Sequence, residues 1–400
     1  MLIKLVKGLE VQKVALEVVV AVIRWTLLSL FILSISMVHT FAEMLSPKAW
    51  KTKLLFNIYS QSSNSGEQVY DDSGNEDVFV FEPMLFASYQ IDETTNLSAH
   101  ITFDTWTAES DTRLDGNTGQ SGKGIGGQSR ISGNFSYSKE IENSLWTPKI
   151  GFSSEYDYKS FNAGLSWTGS FAEDNFTLTT SAQYFHDSTT LFDYVTEKIK
   201  EPEDKRVYSL DINASQFLTR SDIISFGQTT IIQNGALESI RNTTKIAGVR
   251  TAEQLPGSRK RYAYYTQWVH GFNDDLALSN KYRFYHDSWN LKSHTYEVSL
   301  RFNTNEEYGL LELSYRLYNQ SSVKYFFNSL ASIRPNFTND SDLEGFTSHR
   351  IGPHYAYDLG EKSVLGLDIE NLNLSVGAYY YTRSNDLTYM ITQFSLGAEF

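Results

Sequence analysis

Cysteine is absent from the 400-residue chain, which excludes disulfide frameworks, thiolate metal sites, thiol nucleophiles and a lipid-carrying N-terminal Cys. Proline is scarce, at 7, and glycine stands at 25, so the chain is neither collagenous nor a Pro/Gly-rich disordered polymer. Bases are outnumbered by acids, 34 to 47, and the formal charge of -13 leaves no basic footprint for nucleic acid. Long apolar runs are missing too. The one that matters, TLLSLFILSISMV at Thr26 to Val38, has 13 residues, and a membrane-spanning helix needs ~20.

That run is preceded by Arg24 and followed by Thr40-Phe41-Ala42, with small residues where a signal peptidase reads. Residues 1–42 are therefore expected to be an export signal cut after Ala42, and residues 43–400 the mature protein. Met1 to Ala21 does not resemble a signal n-region, and a translation start placed upstream of the true one, before Val22, would account for it. Cleavage would remove Lys4, Lys7, Lys13, Arg24, Glu10 and Glu17, leaving 30 bases against 45 acids.

What is abundant is aromatic and alternating. The chain holds 25 Tyr and 25 Phe. Period-2 alternation recurs from end to end, as in Leu372, Leu374, Val376, Ala378 and Tyr380 against Asn371, Asn373, Ser375, Gly377 and Tyr379. Strands are expected at about 50–60, 77–90, 96–108, 128–140, 146–157, 159–171, 175–188 and 206–219. Eight more follow at about 222–233, 260–271, 275–288, 291–302, 308–319, 349–368, 371–382 and 388–400. A soluble sandwich also alternates, so the connectors decide. Gaps after even-numbered strands are all short, down to Arg220-Ser221 and Ile369-Glu370. Most others are long: 61–76, 109–127, 189–205, 234–259 and 320–348, with Tyr158, Trp289-Asn290 and 383–387 as exceptions.

Short turns at one end, long loops at the other, an even strand count and both termini on the short-turn side predict an all-β, transmembrane antiparallel β-barrel of about 16 strands, located in the bacterial outer membrane. Aromatic girdles at the two interfaces give the Tyr and Phe a use. Phe394, Leu396, Ala398 and Phe400 form an alternating end with a terminal aromatic, read as the signal for the outer-membrane assembly machinery. That machinery and outer-membrane lipid are the expected partners. Nothing in the sequence sets an oligomeric state.

Four stretches resemble the bacterial domain-of-unknown-function family numbered 3570, a group of outer-membrane proteins: EYDYKSF at Glu155 to Phe161, LPGSRKR at Leu255 to Arg261, YRFYHDSWNLKSH at Tyr282 to His294 and RLYNQSSVKYF at Arg316 to Phe326. The similarity covers about 50 to 400. It implies the fold and the location and carries no activity; Ser288 stands where the family pattern suggests Asp.

Sixteen strands enclose a lumen wide enough for water unless loops or side chains fill it. Parity puts Glu82, Asp104, Glu140, Glu155, Asp211, Glu297, Glu312 and Glu399 on the lumen face, with Lys51, Lys53, Arg130, Lys149, Lys281, Arg283, Arg301 and Arg316. The two signs balance there. The acid surplus falls on Asp71, Asp72, Glu76 and Asp77 and on the short turns, at Asp92, Glu93, Glu173, Asp174, Asp274, Asp275, Glu306 and Glu307. Acidic mouths concentrate cations, although Asp also suits turns for geometric reasons.

The chemistry-bearing candidates are His286, Ser288 and Asn290. A His-x-Ser pair on a strand has the spacing found in outer-membrane phospholipases, where His activates the hydroxyl, and both residues share a face. Turn chemistry explains the same residues. His286 and Asp287 face opposite ways, which disfavours a metal, and Gly122 to Gly127 has no following helix to make a phosphate loop, so no cofactor or metal is expected. The leading expectation is a passive diffusion channel, mildly cation-preferring; the alternatives are a structural or surface-interaction barrel with loops 234–259 and 320–348 plugging the lumen, and a lipid-active enzyme. The processed protein should begin near Glu43 and fractionate with the outer membrane, as N-terminal sequencing of that fraction would read; an apolar segment retained in the inner membrane would refute it.

Overall fold

The computed structural model describes residues 50–63, 78–108, 128–193, 198–238, 243–305, 308–364, 367–385 and 387–400. The expected cleavage point, Asp71, Asp72, Glu76, Asp77, the Gly122 to Gly127 tip, Glu306 and Glu307 lie outside them. Sixteen long strands follow one another: β1 (Trp50–Ser63), β2 (Val78–Asp92), β3 (Thr95–Ala108), β4 (Gln128–Ile141), β5 (Ser144–Ser154), β6 (Tyr158–Phe171), β7 (Phe176–Thr189) and β8 (Glu203–Phe217). The second half is β9 (Asp222–Gly235), β10 (Ser258–Gly271), β11 (Leu276–Asp287), β12 (Lys292–Asn305), β13 (Gly309–Gln320), β14 (Phe346–Asp358), β15 (Asn371–Arg383) and β16 (Thr388–Glu399). They pair in chain order and close into a barrel, antiparallel at the seam, where Lys53 faces Glu399 and Ser63 faces Tyr389.

Every expected strand is present, and each end but one falls within three residues of the alternation pattern. The exception is β14, expected to run to 368. It stops at Asp358, whose carboxylate accepts from Gly360 N–H at 2.7 Å while Gly360 turns the chain at φ 66°. A small pair, Lys362–Val364 with Leu367–Ile369, follows, so the two-residue turn expected at Ile369-Glu370 is a longer connection, 359–370. The expected one-residue gap at Tyr158 is 155–157, and the gap at Trp289-Asn290 is 288–291.

Three prolines lie inside strands, where a missing N–H costs a ladder bond. Each sits at a break in the pairing. The β2–β3 register skips from Phe81 to Met84 across Pro83, β4–β5 skips from Lys149 to Trp146 across Pro148, and β14–β15 skips from Ile351 to His354 across Pro353.

Closure gives the wall a crowded concave face and a spread convex one, and the residues sort accordingly. Polar-face side chains are tightly packed, with Asp104 2%, Asn162 8% and Ser299 9% exposed, while Ile150, Phe161 and Ile351 on the other face are 52%, 53% and 56% exposed. The polar face is thus the inner one and the apolar face the outer one. A 14-residue strand at ~3.3 Å per residue, tilted by ~40°, rises about 35 Å, enough to carry the ~25 Å apolar band of an outer-membrane barrel. Aromatics edge that band: Trp146, Trp167, Phe171 and Phe176 run in ring contact at the short-turn end, and Tyr184 and Tyr208 pair at 5.0 Å nearer the loops. Among the described residues no helix is long and apolar enough to cross a membrane; crossing is left to strands.

The last residue takes part in closure. Phe400 N–H donates to Thr52 O at 2.7 Å and Thr52 N–H donates to Phe400 O at 3.1 Å. Deleting Phe400 removes both bonds at the seam as well as an aromatic, so the folded, heat-modifiable band on unboiled gels should fall markedly relative to the full chain. A band of unchanged intensity would contradict that role.

Candidate functional site

The inner face carries the site, built from strand parity and register. In β11–β14, Lys281 pairs with Glu297, Glu297 with Arg316 and Arg316 with Arg350, so one row across four strands holds three bases around a single acid. Arg283 lies two residues up the same strand. Arg350 Nη2 reaches Glu297 Oε2 at 3.9 Å, and two layers down Arg301 Nε meets Glu312 Oε2 at 2.5 Å. Tyrosines pave this wall: Lys281 Nζ lies 4.8 Å from the Tyr265 ring centroid, and Arg350 lies 5.1 Å from that of Tyr379. Tyr265 can lie flat because residue 227 is Gly; a Cβ there would stand 2.0 Å from its ring. Its hydroxyl donates to Asn213 at 2.9 Å.

The opposite wall leans the other way. Arg130 Nε binds Asp104 Oδ2 at 2.5 Å and its Nη1 lies 3.7 Å from Glu155, while Glu82 accepts from Asn57 at 3.0 Å. Three carboxyl groups surround one guanidinium. Burial raises the pKa of Glu155, in the turn after β5, against the lowering pull of Arg130. Asp211 accepts from Ser209 and Thr229 hydroxyls at 2.9 and 2.6 Å. In a ring of sixteen, β3 and β11 are eight strands apart, so the acid-leaning and base-leaning walls face each other.

Several inner-face charges escape the parity inventory. Lys205 and Asp187 lie 3.7 Å apart, Arg259 binds Asp287, and Arg261, Arg350 and Arg383 also point inward. Lys205, Arg259 and Arg383 fall just beyond strand ends read one to three residues short. Asp187, Arg261 and Arg350 lie within the expected strands, and their parity marks them. Together they tilt the inner face toward positive charge.

Two long loops form a cap. Residues 236–238, 243–257 and 321–345 pack on the 288–291 turn around buried Leu255, Trp289, Leu291 and Val323. Thr243–Ile246 and Val249–Ala252 make a hairpin. Gln254 exchanges both backbone bonds with Phe337, at 3.0 and 2.7 Å, and Thr338 Oγ1 donates to buried Glu253 at 2.7 Å. Three inner-face side chains hold the cap. Gln320 Nε2 donates to Asp342 O at 2.9 Å, and Arg383 donates to Asp342 Oδ1 at 2.8 Å and to Ser341 O.

The third is Asp287. Its fully buried carboxylate takes Arg259 Nε at 2.8 Å and a second bond from Arg259 Nη2, Tyr285 OH at 2.9 Å, and the N–H groups of Trp289 and Leu291 at 2.9 and 3.0 Å. The guanidinium stacks 4.2 Å from the Trp289 ring centroid. One carboxylate thereby fixes turn, wall and cap.

The candidate pair in that hairpin is otherwise engaged. Ser288 Oγ accepts from Lys260 N–H at 3.0 Å, extending the β10–β11 ladder, and the His286 ring stacks on Tyr262 at 5.0 Å. Asn290 takes φ 71° to close the turn. Among the described residues no cluster of three His, Asp or Glu is arranged to hold a metal ion.

The barrel is similar to a structure described as a bacterial polysaccharide outer membrane secretin, at TM-score 0.48 and 8% identity over 87% of this chain and 98% of that one. It is also similar to the outer membrane protein opdK from Pseudomonas aeruginosa, at 0.46 and 8% over 88% and 99%. CdiB from Acinetobacter baumannii matches at 0.50 and 8%, over 87% of this chain and 60% of that one. At such identities the likeness concerns the barrel fold alone. No curated protein matches the chain. The model of the family described as Protein of unknown function (DUF3570) matches residues 27–397, starting inside the Thr26 to Val38 run rather than near 50, and the chain belongs to that family.

Proposed function

We propose that the protein is an outer-membrane channel for passive diffusion of small solutes, with a mild preference for cations. One observation carries the reading. On the concave face, charged side chains remain open to solvent, with Arg130 40%, Glu297 39% and Arg301 56% exposed. Even in an ion pair, taking each charge out of water costs several kcal/mol, so this face needs water along it. Facing walls of opposite sign would set a field across the path and orient dipolar solutes. The cation preference rests on the short-turn mouth, where Asp92, Glu93, Glu142, Glu173, Asp174, Asp274 and Asp275 cluster. The extra bases on the inner face work against it, which keeps the preference small.

The cap supports a second reading, a structural or surface-interaction barrel closed by its own loops. Single-channel recording on refolded protein in planar bilayers separates the two. Stable conductance with a small cation excess that shrinks as salt rises is expected; anion selectivity would overturn the electrostatic part, and silence would favour the closed barrel.

The cap's share can be measured through its anchor. Asp287→Ala strands the buried Arg259 charge, a loss of about 3–5 kcal/mol, drawn chiefly from the cap. Protease should then cut within 236–257 and 321–345 several times faster while the barrel stays heat-modifiable. Conductance should rise if the cap narrows the path. Unchanged proteolysis would show that Asp287 does not anchor the loops.

A further inference from the structure

The outer surface of the same hairpin is left unexplained by a channel. On β10–β12, Lys260, His286, Lys292 and His294 share the apolar face at its loop end: His286 pairs with Lys292 across the strands, and Lys260 O accepts from Ser288 N–H while Lys260 N–H donates to Ser288 Oγ. Lys260, Lys292 and His294 are exposed and His286 is half-buried. Among the described residues no carboxylate pairs with either lysine. No Asp or Glu occupies this face of the three strands at all, although the chain carries a formal charge of -13. The acid next to His286 in the chain, Asp287, points the other way into Arg259.

The imidazoles are held in place by an aromatic ledge beneath them. His286 stacks on Tyr262 and lies 5.7 Å from Phe284; the His294 ring is hydrogen-bonded to Tyr282 OH at 2.7 Å and lies 5.2 Å from Phe284. Tyr rings of this kind sit at the level of lipid headgroups. Cations immediately above such a belt, with no acids among them, meet the phosphate layer, where charge-assisted bonds to phosphate oxygens are strong.

We infer that Lys260, His286, Lys292 and His294 form a binding surface for the phosphate groups of a phosphorylated glycolipid of the outer leaflet, whose acyl chains lie on the Tyr262–Phe284 ledge. The inference rests on the outer-membrane reading and is independent of whether the lumen conducts.

The test uses the full-length refolded barrel in phosphatidylcholine vesicles doped with lipid A or with its dephosphorylated form, with retained lipid counted by mass spectrometry after detergent extraction. Wild type should retain lipid A several-fold over the dephosphorylated lipid. Lys260→Ala with Lys292→Ala should cut that retention by roughly tenfold, whereas Lys139→Ala with Lys362→Ala, at the short-turn end, should leave it unchanged. Lys292→Gln, a milder change, should give an intermediate loss and guards against misfolding of the double variant, which heat modifiability reports. Equal retention of the two lipids, equal loss in both double variants, or displacement by equimolar inorganic phosphate would overturn the inference. Failure to insert into any bilayer would sink the membrane reading with it; insertion without lipid preference sinks this inference alone.

Discussion

The constraint on which everything else depends is that a sheet placed in hydrocarbon has no water to satisfy an open edge. β1 and β16 would be two such edges, and their pairing from Lys53–Glu399 to Ser63–Tyr389 removes both. The final bond of the seam comes from the last residue of the chain. The same accounting explains where proline is tolerated. Pro83, Pro148 and Pro353 sit only where the ladder to one neighbour is already interrupted.

Closure then sorts chemistry by curvature. On the convex face side chains diverge, and apolar residues can stand half-exposed without crowding. On the concave face they converge, and long charged side chains there find partners on neighbouring strands rather than across the barrel: Arg301 with Glu312, Arg130 with Asp104, Lys205 with Asp187. Lateral pairing satisfies a charge without bridging the lumen. It also lets the two walls keep different signs, because neither has to be neutralised by the other.

Much of this was legible in the sequence because the signals are local. A period of two and the lengths of connectors mark sixteen strands, and parity marks a face. The failures have physical causes. Ser363, Val364 and Leu367 to Ile369 continue the alternation of β14, yet Asp358 and Gly360 turn the chain first, so a small hairpin imitates a longer strand. Lys205, Arg259 and Arg383 were hidden by short readings of strand ends. Asp187, Arg261 and Arg350 needed only the parity rule carried through every strand. The cap was beyond reach, because residues 243–257 and 321–345 meet through contacts such as Gln254 with Phe337 that no periodicity announces.

Asp287 shows why one hairpin drew competing interpretations. Its neighbours alternate across the wall, so His286 and Ser288 look outward while Asp287 looks in, and a run rich in His, Asp and Ser mimics a catalytic cluster although its members serve different faces. Inward, the carboxylate offsets Arg259, orders the 288–291 turn and seats Trp289 under the cap. Outward, the same strand ends in imidazole and hydroxyl beside two lysines. Because the carboxylate is spent entirely on the inner side, it cannot neutralise the outer one. The strand's alternation is thus what leaves the outer surface cationic, and a surface of that sign at the edge of an apolar band in an acidic protein calls for an anionic partner from the membrane rather than from the chain itself.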